Sequence, residues 1–237
     1  MTTDIVIVSY KDEDPIKKCL ASVRDMCTDF KLIIEDNNGE GLNRGFTRAV
    51  NDGILKGSSE YVWLLNSDCI VLEGAQQGLI NMFSQGSQVG IVGSMQLDYK
   101  NMDFISCGGV FSSPFPAGRH RSGLISMGHW QIPEKQTWQN FASVMLRRSM
   151  IEKIGLLDTS MYLIYSDSSY CYTARERGYE CWYAPKSRVL HRLNASKTVT
   201  EWHQKDMIAF MKKWGITSPG DGTFQVSERF HRLDLFP

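Results

Sequence analysis

The segment YVWLLNSDCIV, residues 61–71, runs five apolar or aromatic side chains straight into Asn66, Ser67 and Asp68. Two other apolar runs end the same way. DIVIVSY, residues 4–10, ends in Ser9 and Tyr10, and KLIIEDNN, residues 31–38, ends in Asp36, Asn37 and Asn38. Any one such ending is also what a turn favours, because Asp and Asn hydrogen-bond to their own backbone. Three of them are a stronger signal, since a carboxylate such as Asp68 is a hard oxygen ligand for Mg²⁺ or Mn²⁺. A cation held there neutralises a diphosphate.

Positioning such groups takes a particular scaffold. The β-branched runs read as buried strands. DEDPIKKCLASVRD between the first two places Ile16, Cys19, Leu20 and Val23 at helical spacing after Pro15. NRGFTRAVNDGILKG repeats the pattern with Phe46, Val50 and Ile54 and stops at Gly57. Another helix is expected near 73–84. Strands alternating with helices predict an α/β fold with a mostly parallel, Rossmann-like sheet covered by helices on both faces. In such sheets ligands bind beyond the carboxyl ends of the strands, which is where the polar residues fall.

The second half has a different rhythm. Residues 96–140 are rich in Gly, Ser, Pro and aromatics and are expected to form a long irregular stretch over the active face. NFASVMLRR and ECWYAP read as strands, 165–177 as a helix, and 199–214 as an amphipathic helix closed by Gly215. The organisation expected is one domain over 1–198, with a C-terminal helix and tail, 199–237, packed on it.

Composition narrows the function. Lys plus Arg and Asp plus Glu each number 26 in 237 residues, so no overall basic field draws nucleic acid. Six scattered cysteines without a CxxC pair, and no apolar leader, predict reduced thiols, no structural zinc and a cytoplasmic setting. No apolar run reaches the roughly 18 residues of a membrane span, so any membrane association is expected to be peripheral. GEGLNRG follows the second strand and lacks a Lys-Ser/Thr pair, which fits neither a dinucleotide fingerprint nor a P-loop.

Taken in order, IVIVSYK, IIEDNN, GLNRGFTRAVNDGI, YVWLLNSDCIV and the stretch FASVMLRR to RVLH resemble the family 2 glycosyltransferases of the GT-A fold, in particular their rhamnosyltransferase-like branch. The resemblance covers roughly residues 4–191. It implies a donor-base aspartate at Asp36, where a carboxylate accepts the N3–H of uracil or thymine. It implies further donor contacts at Ser9, Tyr10, Asn37, Asn43, Gly45, Asn66 and Ser67. The family's metal-binding DxD element falls on NSD, with Asn66 in the first place and Asp68 as metal ligand, and a closing histidine ligand falls on His191. The catalytic base falls on Asp167. Ser166 and Ser169 stand where relatives mostly carry acids, and Thr173 where an Arg is common.

The reaction so implied is inverting transfer of a hexose or rhamnose from a UDP- or dTDP-linked donor to a hydroxyl of a glycan or lipid-linked acceptor, with Mn²⁺ or Mg²⁺. A positioned base is worth about 10²- to 10⁴-fold in such a step, and a retaining mechanism needs a second, closely opposed carboxylate. Read as residues alone, Asp167 is a helix N-cap before it is a base, and His191 a partly buried structural histidine before it is a ligand. Two other functions stay open: a catalytically degenerate module that binds sugar nucleotides or glycans, and a nucleotidyltransferase. The acidic first loop, SYKDEDP, tells against a triphosphate.

Overall fold

A computed structural model describes residues 2–38, 43–111, 115, 117–120, 129–192, 199–220 and 222–228. Strands β1 (Thr3–Ser9), β2 (Phe30–Asp36) and β3 (Tyr61–Asn66) alternate with helices α1 (Glu13–Met26) and α2 (Phe46–Leu55). A short β4 (Cys69–Val71), helix α3 (Ala75–Met82) and β5 (Val89–Asp98) follow. Then come β6 (Phe104–Ser106), β7 (Gly109–Phe111), β8 (Gly118–His120), β9 (Glu134–Gln136) and β10 (Ser143–Arg147). Helices α4 (Arg148–Ile154) and α5 (Ser166–Glu176), strand β11 (Glu180–His191) and helix α6 (Val199–Trp214) complete the order.

The main sheet runs β2-β1-β3-β10-β5-β11-β4, with β6 and β9 attached to β5 and β11. β1, β2 and β3 pair in parallel, as do β5 and β11, while β10 is antiparallel to both β3 and β5. Five strands therefore point one way, and their carboxyl ends define one rim. Alternation along the strands builds two cores. Ile5, Ile7, Trp63 and Leu65 pack with Cys19 and Val23 of α1 and Leu79 of α3. Val6, Val62 and Leu64 pack on the other face with Val50 and Ile54 of α2 and with α4, α5 and α6. Each such side chain, fully buried, contributes about 1.5–3 kcal/mol. In α1, Glu13 and Asp14 at the start and Arg24 at the end complement the helix dipole.

Two elements differ from expectation. The strand expected to end at Pro185 continues to His191, because a register shift between Ala184 and Arg188 absorbs the proline in a bulge. Within 96–140 the described residues are less irregular than their composition suggests, since β5 reaches Asp98 and β7 pairs antiparallel with β8, while residues 112–114, 116 and 121–128 lie outside the described residues. Helix α6 buries Phe210 and Trp214 completely, while Ile208 on the same helix is exposed. All six cysteines are free and buried. Among the described residues no helix is long and apolar enough to cross a membrane. Part of the tail, residues 221 and 229–237, lies outside the described residues.

Candidate active site

Trp63, with no exposed surface, and Leu65, with 2%, lock β3 into the sheet, and the chain then leaves it through a turn at Ser67 and Asp68. Asn66 donates its backbone N–H to the carbonyl of Ala142 at 2.8 Å, which pins the turn to the segment entering β10. Asp68 thus stands at the rim. β11, carried past its bulge, sets His191 beside it, with Nε2 3.4 Å from Asp68 Oδ1. His191 is buried, and its Nδ1 lies 3.0 Å from Oε1 of Gln96 on β5.

This pair fits a divalent cation. Metal–ligand bonds of about 2.1 Å at right angles separate two donors by about 3 Å, close to the spacing here. Cys69 completes the donor cluster, all of whose atoms lie within 4.8 Å of one another. Its thiol is an unsuitable ligand, because it points to the Ala142 carbonyl at 3.5 Å and burial raises its pKa well above the usual thiol value. The carboxylate oxygen suits Mn²⁺ or Mg²⁺, and the imidazole nitrogen favours a transition ion such as Mn²⁺ over Mg²⁺.

Asp167 lies in the first turn of α5, after Tyr165 in the left-handed region at φ 62°. The helix N-cap is Tyr165 and not Asp167, whose Oδ1 accepts only the N–H of its neighbour Ser168 at 2.6 Å, although an acid in the first turn still complements the helix dipole. Burial nevertheless dominates its titration and pushes the carboxyl up to about 6, against the smaller opposing effects of Ser168 and of the Trp138 indole. Trp138, 3% exposed, meets His120 of β8 edge-on at 5.2 Å between ring centroids. His120 is pushed down to about 4, first by burial and then by His191, so it is neutral at pH 7.

The chain from Trp138 to Ala142 joins the two halves of this rim. Trp138 borders Asp167, the Gln139 carbonyl faces the Cys171 thiol at 3.9 Å, Asn140 bonds Gln96, and Ala142 holds Asn66. Asp68 and Asp167 are thereby tied to one short segment at the carboxyl rim. Trp138 lines that segment from inside, and Trp130 packs on Phe104.

A second group of side chains surrounds the ends of β1 and β2. Ser9 Oγ donates to Asp12 Oδ1 at 2.8 Å and accepts from Asn38 Nδ2 at 2.9 Å. Asn38 also donates its backbone N–H and Nδ2 to Asp36 Oδ1, at 2.9 and 2.8 Å, which holds the exposed Asp36 carboxyl below its ordinary value. Tyr10 is half-buried, with the Lys11 ammonium 5.1 Å from its ring. Asn37 is buried and donates Nδ2 to the Gly45 carbonyl at 3.3 Å, while its Oδ1 has no hydrogen-bond partner among the described residues. Gly45 is required where it stands: φ is +83°, and a Cβ would lie 2.6 Å from the Tyr162 ring. Asn43 Oδ1 accepts the Gly45 N–H at 3.1 Å, and Tyr162 Oη donates to the Asn43 carbonyl at 3.2 Å. Ser67 is half-buried in the turn before Asp68.

Ser166 and Ser169 are buried, and Ser169 Oγ accepts the Trp214 indole N–H at 3.2 Å, so its hydroxyl ties α5 to α6. Arg44 pairs with Glu35 at 2.6 Å and Asp52 at 2.8 Å. Reading the sequence by strand ends finds Asn38 as part of a polar ending, without the role it plays, and passes over Gln96, His120 and Asn140. Asn38 sits next to Asn37 in a visible motif, whereas the other three carry no local signal.

A mixed, mostly parallel sheet that carries an acid-histidine pair and a half-buried acid at its carboxyl rim has the GT-A class of α/β fold. Solved structures agree. GalNAc-T7, in a structure with UDP, GalNAc and Mn²⁺, superposes with a TM-score of 0.70 at 15% identity, over 90% of this chain and 49% of that one. The mannosyltransferase PcManGT of Pyrobaculum calidifontis, with GDP-Man and Mn²⁺, gives 0.62 at 12% identity over 98% and 67%. TarS of S. aureus, as residues 1–349, gives 0.56 at 10% over 82% and 61%. The chain thus spans about half the length of GalNAc-T7 and about two thirds of PcManGT. No curated protein sequence matches it. The family described as "Glycosyltransferase like family 2" matches residues 1–210, and the chain belongs to that family.

Proposed function

We propose that the chain is a metal-dependent, inverting glycosyltransferase that moves a sugar from a nucleoside-diphosphate donor to a hydroxyl of a glycan or lipid-linked acceptor. The observation that carries this reading is the tie between the Asp68–His191 pair and Asp167 through the segment from Trp138 to Ala142. A site that must hold a departing diphosphate and deprotonate an attacking hydroxyl needs both at one rim.

The residues divide the work by their chemistry. Asp36 keeps one oxygen free while Asn38 occupies the other, so it can accept the N3–H of a uracil or thymine ring. Asn37, with a buried unpartnered oxygen, and Ser9, Tyr10, Asn43, Gly45, Asn66 and Ser67 frame the rest of the donor. Asp68 and His191 would hold the cation, which would supply Lewis-acid stabilisation of the leaving diphosphate. Asp167 takes the acceptor's proton as the new C–O bond forms and the bond to the diphosphate breaks. Asp206 on α6 is occupied by three backbone N–H donors and serves the turn before α5, and a single base at Asp167 corresponds to one displacement with inversion.

A thermal-shift panel of UDP-, dTDP- and GDP-sugars, each with and without Mn²⁺ or Mg²⁺, tests the reading. A donor at about a hundred times its Kd stabilises by about 2.7 kcal/mol. Stabilisation that needs both sugar nucleotide and cation is expected, with a UDP- or dTDP-linked hexose or rhamnose preferred. Indifference to every donor in the presence of either cation overturns it.

A further inference from the structure

The imidazole of His191 is part of a relay that starts at a backbone amide, and the relay dictates where its proton sits. Ala142 donates its N–H to Asn140 Oδ1 at 2.8 Å. The same oxygen lies 3.1 Å from the Gln96 amide. Because a backbone amide can only donate, the atom it meets on Asn140 must be the carbonyl oxygen. Gln96 must then turn its NH₂ toward Asn140, since the opposite orientation sets two acceptors against each other. That leaves Gln96 Oε1 facing His191 Nδ1 at 3.0 Å, so Nδ1 carries the hydrogen. In the ring's neutral form Nε2 then carries the lone pair, 3.4 Å from Asp68 Oδ1. Gln96 is 1% exposed and His191 7%, so solvent exchange does not scramble the order.

We propose that Gln96 and Asn140 are positioning residues for the cation site: they fix His191 as the Nδ1–H tautomer and keep its Nε2 lone pair directed at the ion shared with Asp68. The inference rests on the glycosyltransferase reading for its purpose, but the tautomer is a property of the chain alone. Outer partners of metal-bound histidines affect affinity by about 10- to 100-fold.

The test uses the full chain. Long-range ¹H–¹⁵N correlation at about pH 8, above the ordinary histidine range, reads the His191 tautomer without any cation, with His191→Gln used to assign the signals. Nδ1–H is expected in the wild type, and finding Nε2–H overturns the proposal with no variant needed. Mn²⁺ affinity is then measured by calorimetry in the presence of UDP. Gln96→Leu is expected to lose about 10- to 100-fold. Asn140→Leu, which frees Gln96 to flip, is expected to move His191 toward Nε2–H and to weaken Mn²⁺ as well. Asn140→Asp still accepts from both Gln96 and Ala142, so it is expected to retain tautomer and affinity. Wild-type affinity in both leucine variants sinks the inference while leaving the metal reading intact. A wild type that binds no cation under these conditions sinks the metal reading itself.

Discussion

Asp167 shows how one side chain can be good for chemistry and bad for stability. Its carboxyl holds a proton up to about pH 6 in the fold, through burial, against an ordinary value of 3.8. At neutral pH it is ionised and ready to accept a proton, and it loses that capacity as pH falls through about 6. The rate with saturating donor is therefore expected to drop about tenfold per pH unit below that point, which a pH profile of kcat reads. The folded state binds more protons than the unfolded chain between about pH 4 and 6, so this group's contribution is most favourable below that window and is lost as pH rises through it. Asp167→Asn removes the ionised form altogether. It is expected to cut kcat by about 10²- to 10⁴-fold while raising Tm at pH 7.5 more than at pH 5. Unchanged turnover in the variant removes Asp167 from the mechanism. The sequence marked this residue through its resemblance to a family motif; the desolvation that sets its titration comes from the tertiary packing around it and has no signature at positions 166–169.

At the level of elements, α6 does more than cover a core. Asp206 on that helix, 1% exposed, accepts the backbone N–H groups of Tyr162, Leu163 and Ile164 at 2.8, 2.8 and 2.9 Å. Those residues lead through the left-handed Tyr165 into the first turn of α5, where Asp167 lies. Tyr162 in turn stacks on Trp202 of α6 at 3.9 Å and covers Gly45 in the donor loop. Asp206→Asn replaces an acceptor by a donor opposite three N–H groups. The expected cost is about 1–3 kcal/mol, read as a lower Tm, together with a fall in kcat larger than any rise in KM for the donor. A variant with lowered Tm and wild-type kcat at a temperature where it is folded shows that the contact serves stability only. The amphipathic pattern made α6 itself legible from sequence. What it positions was not, because one Asp among Lys205, Met207 and Ile208 looks like the polar face of any helix. The same limit applied to β11: Pro185 reads as the end of a strand, and only the pairing with β5 shows that a bulge carries the chain on to His191.

For the whole molecule, the two rims of the sheet divide charge by purpose. The carboxyl rim holds Asp68, Asp167 and His191, whereas the opposite rim holds a charge that is fully satisfied. Asp4, with no exposed surface, accepts from Arg148 at 2.7 Å and from the backbone N–H and hydroxyl of Ser59, both at 2.8 Å. Arg148 also donates to the carbonyls of Ser59 and Ile54, so one guanidinium joins β1, α2 and the start of α4. Nothing in the sequence announces the pair, because its members are 144 positions apart and each looks like an ordinary end of an apolar run. Breaking a buried pair leaves an uncompensated charge and costs about 3–5 kcal/mol, a large part of the roughly 5–15 kcal/mol that holds a domain together. Arg148→Met is thus expected to lower the urea midpoint sharply, while the remaining folded protein binds UDP and Mn²⁺ as the wild type does. Adding Asp4→Leu removes the stranded carboxylate and is expected to recover most of the loss. If the single variant instead weakens Mn²⁺ or donor binding at temperatures where it is fully folded, the two rims are coupled through β1 and β3, and the separation of stability from function across the sheet fails.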